Sequence, residues 1–140
     1  MPGDELTYAE IVEIVSRQAR PRNLQVTSEE RDSTLFVSIL SRSSVNVDQA
    51  RSTVTFWTSG TGAFAVDFDD RWSWQAFAYD RTEQEEAVQE IVDLADRYLH
   101  GAGEERTTKS ILRRVRTSLE ITVDGVAVTL QAHDSSQGRR

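Results

Sequence analysis

From Thr34 to Ala78 the large apolar residues fall at every second position, run after run. That period belongs to strands with one face turned inward, because successive side chains on a strand point to opposite faces. Leu35, Val37 and Ile39 share one face of a first run, Thr34 to Ser41, with Phe36 and Leu40 on the other. Apolar groups on both faces predict a central strand. Val54 and Phe56 alternate in a second run, Phe64, Val66 and Phe68 in a third, and Trp72, Trp74, Ala76 and Ala78 in a fourth. Ser59-Gly60-Thr61-Gly62 and Asp69-Asp70-Arg71 read as the turns between them.

Register follows from parity. A three-residue loop at 59–61 sets Phe56 near Phe64 and Val54 near Val66. One at 69–71 sets Phe68 against Trp72 and Val66 against Trp74. Both choices gather the large apolar groups on one face, whereas a one-residue slip would scatter them. Upstream, Leu24-Gln25-Val26 reads as a short strand piece, residues 28–33 as a polar turn, and residues 43–52 as a loop with a short strand at Val45 and Val47. Downstream, Asp124-Gly125 is a type I′ turn signature between two alternating runs. It predicts the pairs Val123 with Val126, Ile121 with Val128 and Leu119 with Leu130.

Helices flank these strands. Thr7-Tyr8-Ala9-Glu10 is a capping box, with Leu6 and Ile11 spaced as a hydrophobic staple. Tyr8, Ile11, Val12, Val15 and Ala19 make the apolar stripe, and Pro21 ends the helix. Thr82-Glu83-Gln84-Glu85 is a second capping box, followed by the stripe Val88, Ile91, Val92, Ala95 and Leu99, widened by Leu94 and Tyr98. Gly101 suits the left-handed position that ends many helices. Residues 101–109 read as a flexible polar connection, and 110–116 as either a short helix or an early strand. The expected fold is α+β: one domain over 1–132, a mostly antiparallel sheet of about five to seven strands and two main helices, in the order α-β(4-5)-α-β-β. Residues 133–140 read as a flexible polar tail.

Composition narrows the function. The chain has no cysteine, so it has no disulfide scaffold, thiol nucleophile or thiolate metal site. No apolar run approaches the roughly 20 residues that span a bilayer. The acidic start Met1-Pro2-Gly3-Asp4-Glu5 lacks a signal-peptide pattern, which predicts a cytoplasmic protein. The formal net charge is −7. It argues against nucleic acid and anionic membranes and suits a basic partner. Residues 1–100 carry 9 basic and 18 acidic side chains, net −9, and residues 101–140 carry 7 and 5, net +2. Lys109, Arg113, Arg114 and Arg116 form a basic run that reads as a solvated face.

Reactive groups are few. His100 sits at a helix end and His133 near the tail, neither within a motif. Asp67, Asp69 and Asp70 are the densest carboxylates. They lack the spacing of a calcium loop and fit a hairpin turn better than a cation site. Gly60-Thr61-Gly62 lacks the Gly-Lys-Ser/Thr ending of a phosphate loop, and no Gly-x-Ser-x-Gly elbow occurs. No catalytic, cofactor or metal residue is assigned.

The aromatic residues point elsewhere. In the register above, Trp57, Phe77 and Tyr79 project to the face opposite the core, beside Thr55 and Gln75. A mixed aromatic and polar face is typical of protein-binding surfaces, unless another element covers it. The run Asp70-Arg71-Trp72-Ser73-Trp74-Gln75-Ala76-Phe77, followed by the helix 82–99, resembles the small α+β immunity proteins of bacterial toxin systems. The resemblance implies an acidic, non-enzymatic domain that masks a toxin, and it assigns no residue a role. The helix–sheet–helix–hairpin order is also similar to secretion-chaperone-like domains, which implies a homodimer holding an effector segment. A third reading is a small-molecule binder or enzyme with a pocket between sheet and helices, using Asp67, Tyr79 or His100.

Overall fold

A computed structural model describes residues 5–41, 51–109 and 115–132. Helix α1, Tyr8–Ala19, opens on the expected capping box. Thr7 Oγ1 accepts from Glu10 N at 3.1 Å, and Glu10 Oε1 accepts from Thr7 N at 2.9 Å. Two of the donors that every helix start leaves orphaned are thereby satisfied. Leu6 and Ile11, the staple pair, are buried. Ile14, outside the expected stripe, is buried with Ile11, Val15 and Ala19, while Tyr8 and Val12 pack at the margin. A single 3-10 turn at Arg20–Arg22 then carries the chain around Pro21.

Five strands follow: β1 (Leu24–Arg31), β2 (Thr34–Ser41), β3 (Thr53–Thr58), β4 (Ala63–Phe68) and β5 (Trp72–Phe77). Helix α2 (Arg81–Leu99) and strands β6 (Glu104–Lys109), β7 (Val115–Val123) and β8 (Val126–Ala132) complete the described chain. All eight strands form one antiparallel sheet in the order β1-β2-β3-β4-β5-β8-β7-β6. The α+β class and the two helices are as expected. Among the described residues the strand count is eight, not five to seven, and three strands rather than two follow α2.

Both corrections concern polar outer strands. β6, Glu-Glu-Arg-Thr-Thr-Lys, was expected as a flexible connection, and every residue of it is exposed. It has no apolar alternation, and only its ladder with β7 makes it a strand. β1 likewise runs on through Ser28–Arg31, where the sequence suggested a turn. The turn is just Asp32 and Ser33, both at positive φ, closing Arg31 onto Thr34. Charged residues on such edges discourage pairing with other chains.

The hairpin registers came out in two ways. Phe68↔Trp72, Val66↔Trp74, Val123↔Val126, Ile121↔Val128 and Leu119↔Leu130 pair as expected. Between β3 and β4 the pairs are instead Phe56↔Val66 and Val54↔Phe68, two residues from the expected register. The even shift keeps the same face inward. The connection is longer, residues 59–62, because Gly62 belongs to the β4–β5 side: Ala78 N donates to Gly62 O at 2.7 Å. Gly62 has φ 85, and a Cβ there would lie 2.6 Å from Ala78 O, so only glycine fits this approach.

α2 also starts differently from its expected Thr82 box. Asp80 is the N-cap, its carboxylate accepting from Glu83 N at 2.8 Å. The expected stripe of α2 is buried throughout, including Leu94 and Tyr98. α1 packs on α2 and β1, and α2 lies across β2–β5 and β7. The core therefore sits between the helices and one sheet face, whose inward rows include Leu35, Val37, Ile39, Val54, Phe56 and Phe68. Each fully buried Ile, Leu, Val or Phe contributes about 1.5–3 kcal/mol. Residues 42–50, with the expected strand at Val45 and Val47, lie outside the described residues, as do 110–114 and the tail 133–140. Val115 and Arg116 of the ambiguous 110–116 segment begin β7.

Candidate functional site

The helices occupy one side of the sheet. Burial alternates strictly along β3 and β4, inward residues buried and outward residues half-buried. Among the described residues no element packs on the outward side. Among the described residues, neither α1 nor the last hairpin covers the aromatic face expected from the sequence.

The registers arrange this surface in rows. Glu29, Phe36, Trp57, Ala65 and Gln75 lie side by side across β1–β5. The Phe36 and Trp57 rings stack with centroids 6.3 Å apart and planes 29° apart. The Arg31 guanidinium lies over Phe36 at 4.4 Å from the ring centre, held from the side by Glu29 at 3.0 Å. The next row is hydroxyl-rich: Thr27, Ser38, Thr55, Asp67 and Ser73. Ser38 and Thr55 hydroxyls are 3.0 Å apart. A shallow groove of about 170 Å³ opens beside Trp57, over Ala63, Ala65, Gln75 and Phe77.

Four of the five singled-out residues thus lie together: Thr55, Trp57, Gln75 and Phe77. Phe77 is 61% exposed. Tyr79 lies past the end of β5 at Phe77, in the connection into α2. It is 73% exposed, and its backbone N donates to Glu83 Oε1 at 2.8 Å. Phe36 and Arg31 belong to the patch and were missed. The alternation of β2 already placed Phe36 on the outward face, but its position beside Trp57 required the β2–β3 register.

The carboxylates have structural partners. Asp69 accepts from Ser52 N, Ser52 Oγ, Thr53 N and Tyr98 Oη, at 2.9, 3.0, 2.9 and 2.7 Å. Asp67 Oδ2 accepts from Asp70 N at 2.9 Å. Asp69 and Asp70 both hold φ 58, the turn chemistry expected of them. Among the described residues no group of three or more His, Asp or Glu side chains is placed to hold a metal ion. Tyr98 is fully buried, and burial together with its bond to Asp69 raises its pKa above the usual phenol value. Arg51 stacks on the Tyr98 ring at 4.7 Å and donates to Tyr98 O and Ala102 O, tying down the end of α2.

Asp67, Tyr79 and His100, suggested for a pocket between the layers, do not converge. Asp67 is on the open face and Tyr79 in the β5–α2 connection. His100 lies in a surface depression with Asp96, Arg97 and Ala102, its Nδ1 2.7 Å from Asp96 O. No described helix is long and apolar enough to cross a membrane. A scan against models of protein families finds no match, and no curated protein or solved structure matches the chain.

Proposed function

We propose that this chain is a non-enzymatic protein-binding domain that meets its partner with the open sheet face. The observation that carries the reading is the stacked Phe36–Trp57 pair with exposed Phe77 beside it, on a face that no described element covers. Aromatic groups with a polar surround are what the centres of protein interfaces are made of. The face needs little charge of its own, since Arg31 is paired with Glu29 and Arg106 with Glu120. The acid is elsewhere: α2 alone has six acidic and two basic side chains. The net charge of −7 favours a basic partner over an acidic one at long range, and the sheet face makes the contact. Masking of a toxin, as an immunity protein does, is the specific form we favour.

The test uses the double variant Trp57→Ala/Phe77→Ala. It keeps a thermal midpoint close to that of the parent chain, because Phe77 is exposed and Trp57 only half-buried on the outward side of the sheet. It loses the partner that the parent captures from its native cell extract at low salt, by about tenfold or more, the equivalent of 1.4 kcal/mol. A thermal midpoint lowered by ten degrees or so would mean several kcal/mol of folding stability and would sink the reading.

A further inference from the structure

The sheet carries an unfinished seam. Among the described residues, β5 and β8 are joined by two residue pairs, Trp72↔Ala132 and Ser73↔Gln131. Every other neighbouring pair of strands has at least four. Continuing the same register would set Gln75 against Thr129 and Phe77 against Ala127, and neither pair forms.

Parity tells where the backbone groups of these four residues point, because along an antiparallel strand alternate residues bond to alternate sides. Ala78 N donates to Gly62 O, so the even-numbered residues of β5 bond toward β4. Gln75 and Phe77 therefore aim their N–H and C=O groups at the seam. The two-residue turn at Asp124–Gly125 makes Val123↔Val126 a bonded pair, so Val126, Val128 and Leu130 bond toward β7. Ala127 and Thr129 then aim theirs at the seam from the other side. All four residues are exposed. On the helix side of the opening the inward row is also incomplete: Trp74, Ala76 and Val128 are only partly buried, and Val126 is 63% exposed. Three carboxylates lie in the chain next to these strand ends: Asp124 in the turn before β8, and Asp80 and Glu83 after β5, which also accept from Glu83 N and Tyr79 N.

We propose that the seam accepts an extended segment of a partner protein as an added strand. An extended backbone offers N–H and C=O groups on both of its edges, so it can bond to β5 and β8 together. Because β5 and β8 run antiparallel to each other, the added strand is antiparallel to one and parallel to the other. Its alternate apolar side chains cover Trp74, Ala76, Val126 and Val128, and a Lys or Arg at one end meets the three carboxylates. This site borders the open face, sharing Gln75 and Phe77 with it, but uses neither Phe36 nor Trp57.

The probe is a displayed library of random nonapeptides selected on the immobilised full chain. The expected winners alternate apolar and polar residues and carry a basic residue at one end. In the free protein the amides of Gln75, Phe77, Ala127 and Thr129 exchange with solvent like loop amides, and a winning peptide slows them about tenfold or more. Thr129→Pro removes a donor that no ladder uses, and proline is tolerated where a strand's N–H faces outward. This variant keeps the fold and loses the peptide. Should it unfold, the same question is put to the parent chain with a peptide N-methylated at alternate residues, which does not bind. Three results overturn the proposal: four amides already protected in the free chain, no alternating peptide among the winners, or equal binding of the N-methylated peptide. Trp57→Ala leaves peptide binding unchanged, so failure here and failure of the open-face reading are told apart.

Discussion

Strands β1–β5 and strands β6–β8 share one sheet but are held in different ways. The first group has long ladders, and polar links run to it from the helices. Tyr8 Oη donates to Ser33 O at 2.7 Å, Tyr98 Oη to Asp69 at 2.7 Å, and buried Gln84 bridges Leu6 N and Ala78 O. The second group has a shorter inward row, Leu119, Ile121, Val123 and Leu130, and an outermost strand that is exposed along its whole length. Among the described residues, two residue pairs join the groups across the sheet. Hydrogen-bond ladders and packed apolar rows set local as well as global stability. The difference therefore implies that β6–β8 opens at lower free energy than the rest.

The largest effect tests that difference directly. Phe56→Ala should cost about 3–5 kcal/mol and Leu119→Ala about 2–5, since both side chains are fully buried. Urea unfolding measures the totals, and amide exchange shows where protection is lost. Phe56→Ala is expected to lower protection in all strands. Leu119→Ala is expected to lower it first in β6–β8. Uniform loss in both variants would mean the sheet opens as one unit.

The same division separates what could be read from the sequence and what could not. β2, β3, β4, β5 and the β7–β8 hairpin all carry apolar residues at every second position, and period alone located them. Two of the three expected hairpin registers follow from keeping large side chains on one face. The third, β3–β4, has that property in two registers two residues apart, and the Ala78–Gly62 bond decides between them. β6 had no signal at all, because an outer strand of six exposed polar residues owes its form to its neighbour. The candidate site was legible by parity for Thr55, Trp57, Gln75 and Phe77. It was not legible for Arg31, whose place over Phe36 depends on the tight Asp32–Ser33 turn. The β5–β8 seam pairs residues 60 and 58 apart in the chain, Trp72 with Ala132 and Ser73 with Gln131, a separation at which local patterns say nothing.

A smaller effect comes from the Tyr98–Asp69 link, which fastens α2 to the β4–β5 turn. Tyr98→Phe removes one hydrogen bond and should cost about 1 kcal/mol at neutral pH. The raised pKa of Tyr98 adds a pH dependence. In the unfolded chain the phenol ionises near its ordinary value of about 10, while in the folded chain it stays protonated. The contribution is therefore complete below that value and is lost as the pH rises above it. Unfolding followed from pH 8 to 11 should show the parent chain losing stability more steeply than Tyr98→Phe. Parallel curves would mean that the hydroxyl is not sheltered in the fold.

The smallest effect belongs to Glu10, which closes the capping box of α1 and pairs with Arg81 at the start of α2. The Arg81 guanidinium and the Thr7 backbone amide, in that order, lower its pKa to about 2 from an ordinary 4.5. The sign is that of any depressed carboxylate. Its stabilising contribution is complete above pH 4.5 and fades as the pH falls toward 2, because the unfolded chain takes up the proton first. Both partners are at the surface, so salt should weaken the effect. Glu10→Gln keeps a group able to accept from Thr7 N but has no charge to lose. Its stability should change less than the parent's between pH 5 and 2, with the gap narrowing in strong salt. This pair joins the two helices and touches neither strand group. If β6–β8 does open independently, the acid loss traced by amide exchange should spread through α1, α2 and β1–β5 while the exchange of β6–β8, already the faster, changes least. Acid loss that begins in β6–β8 would instead place the carboxylates controlling it on that side of the seam.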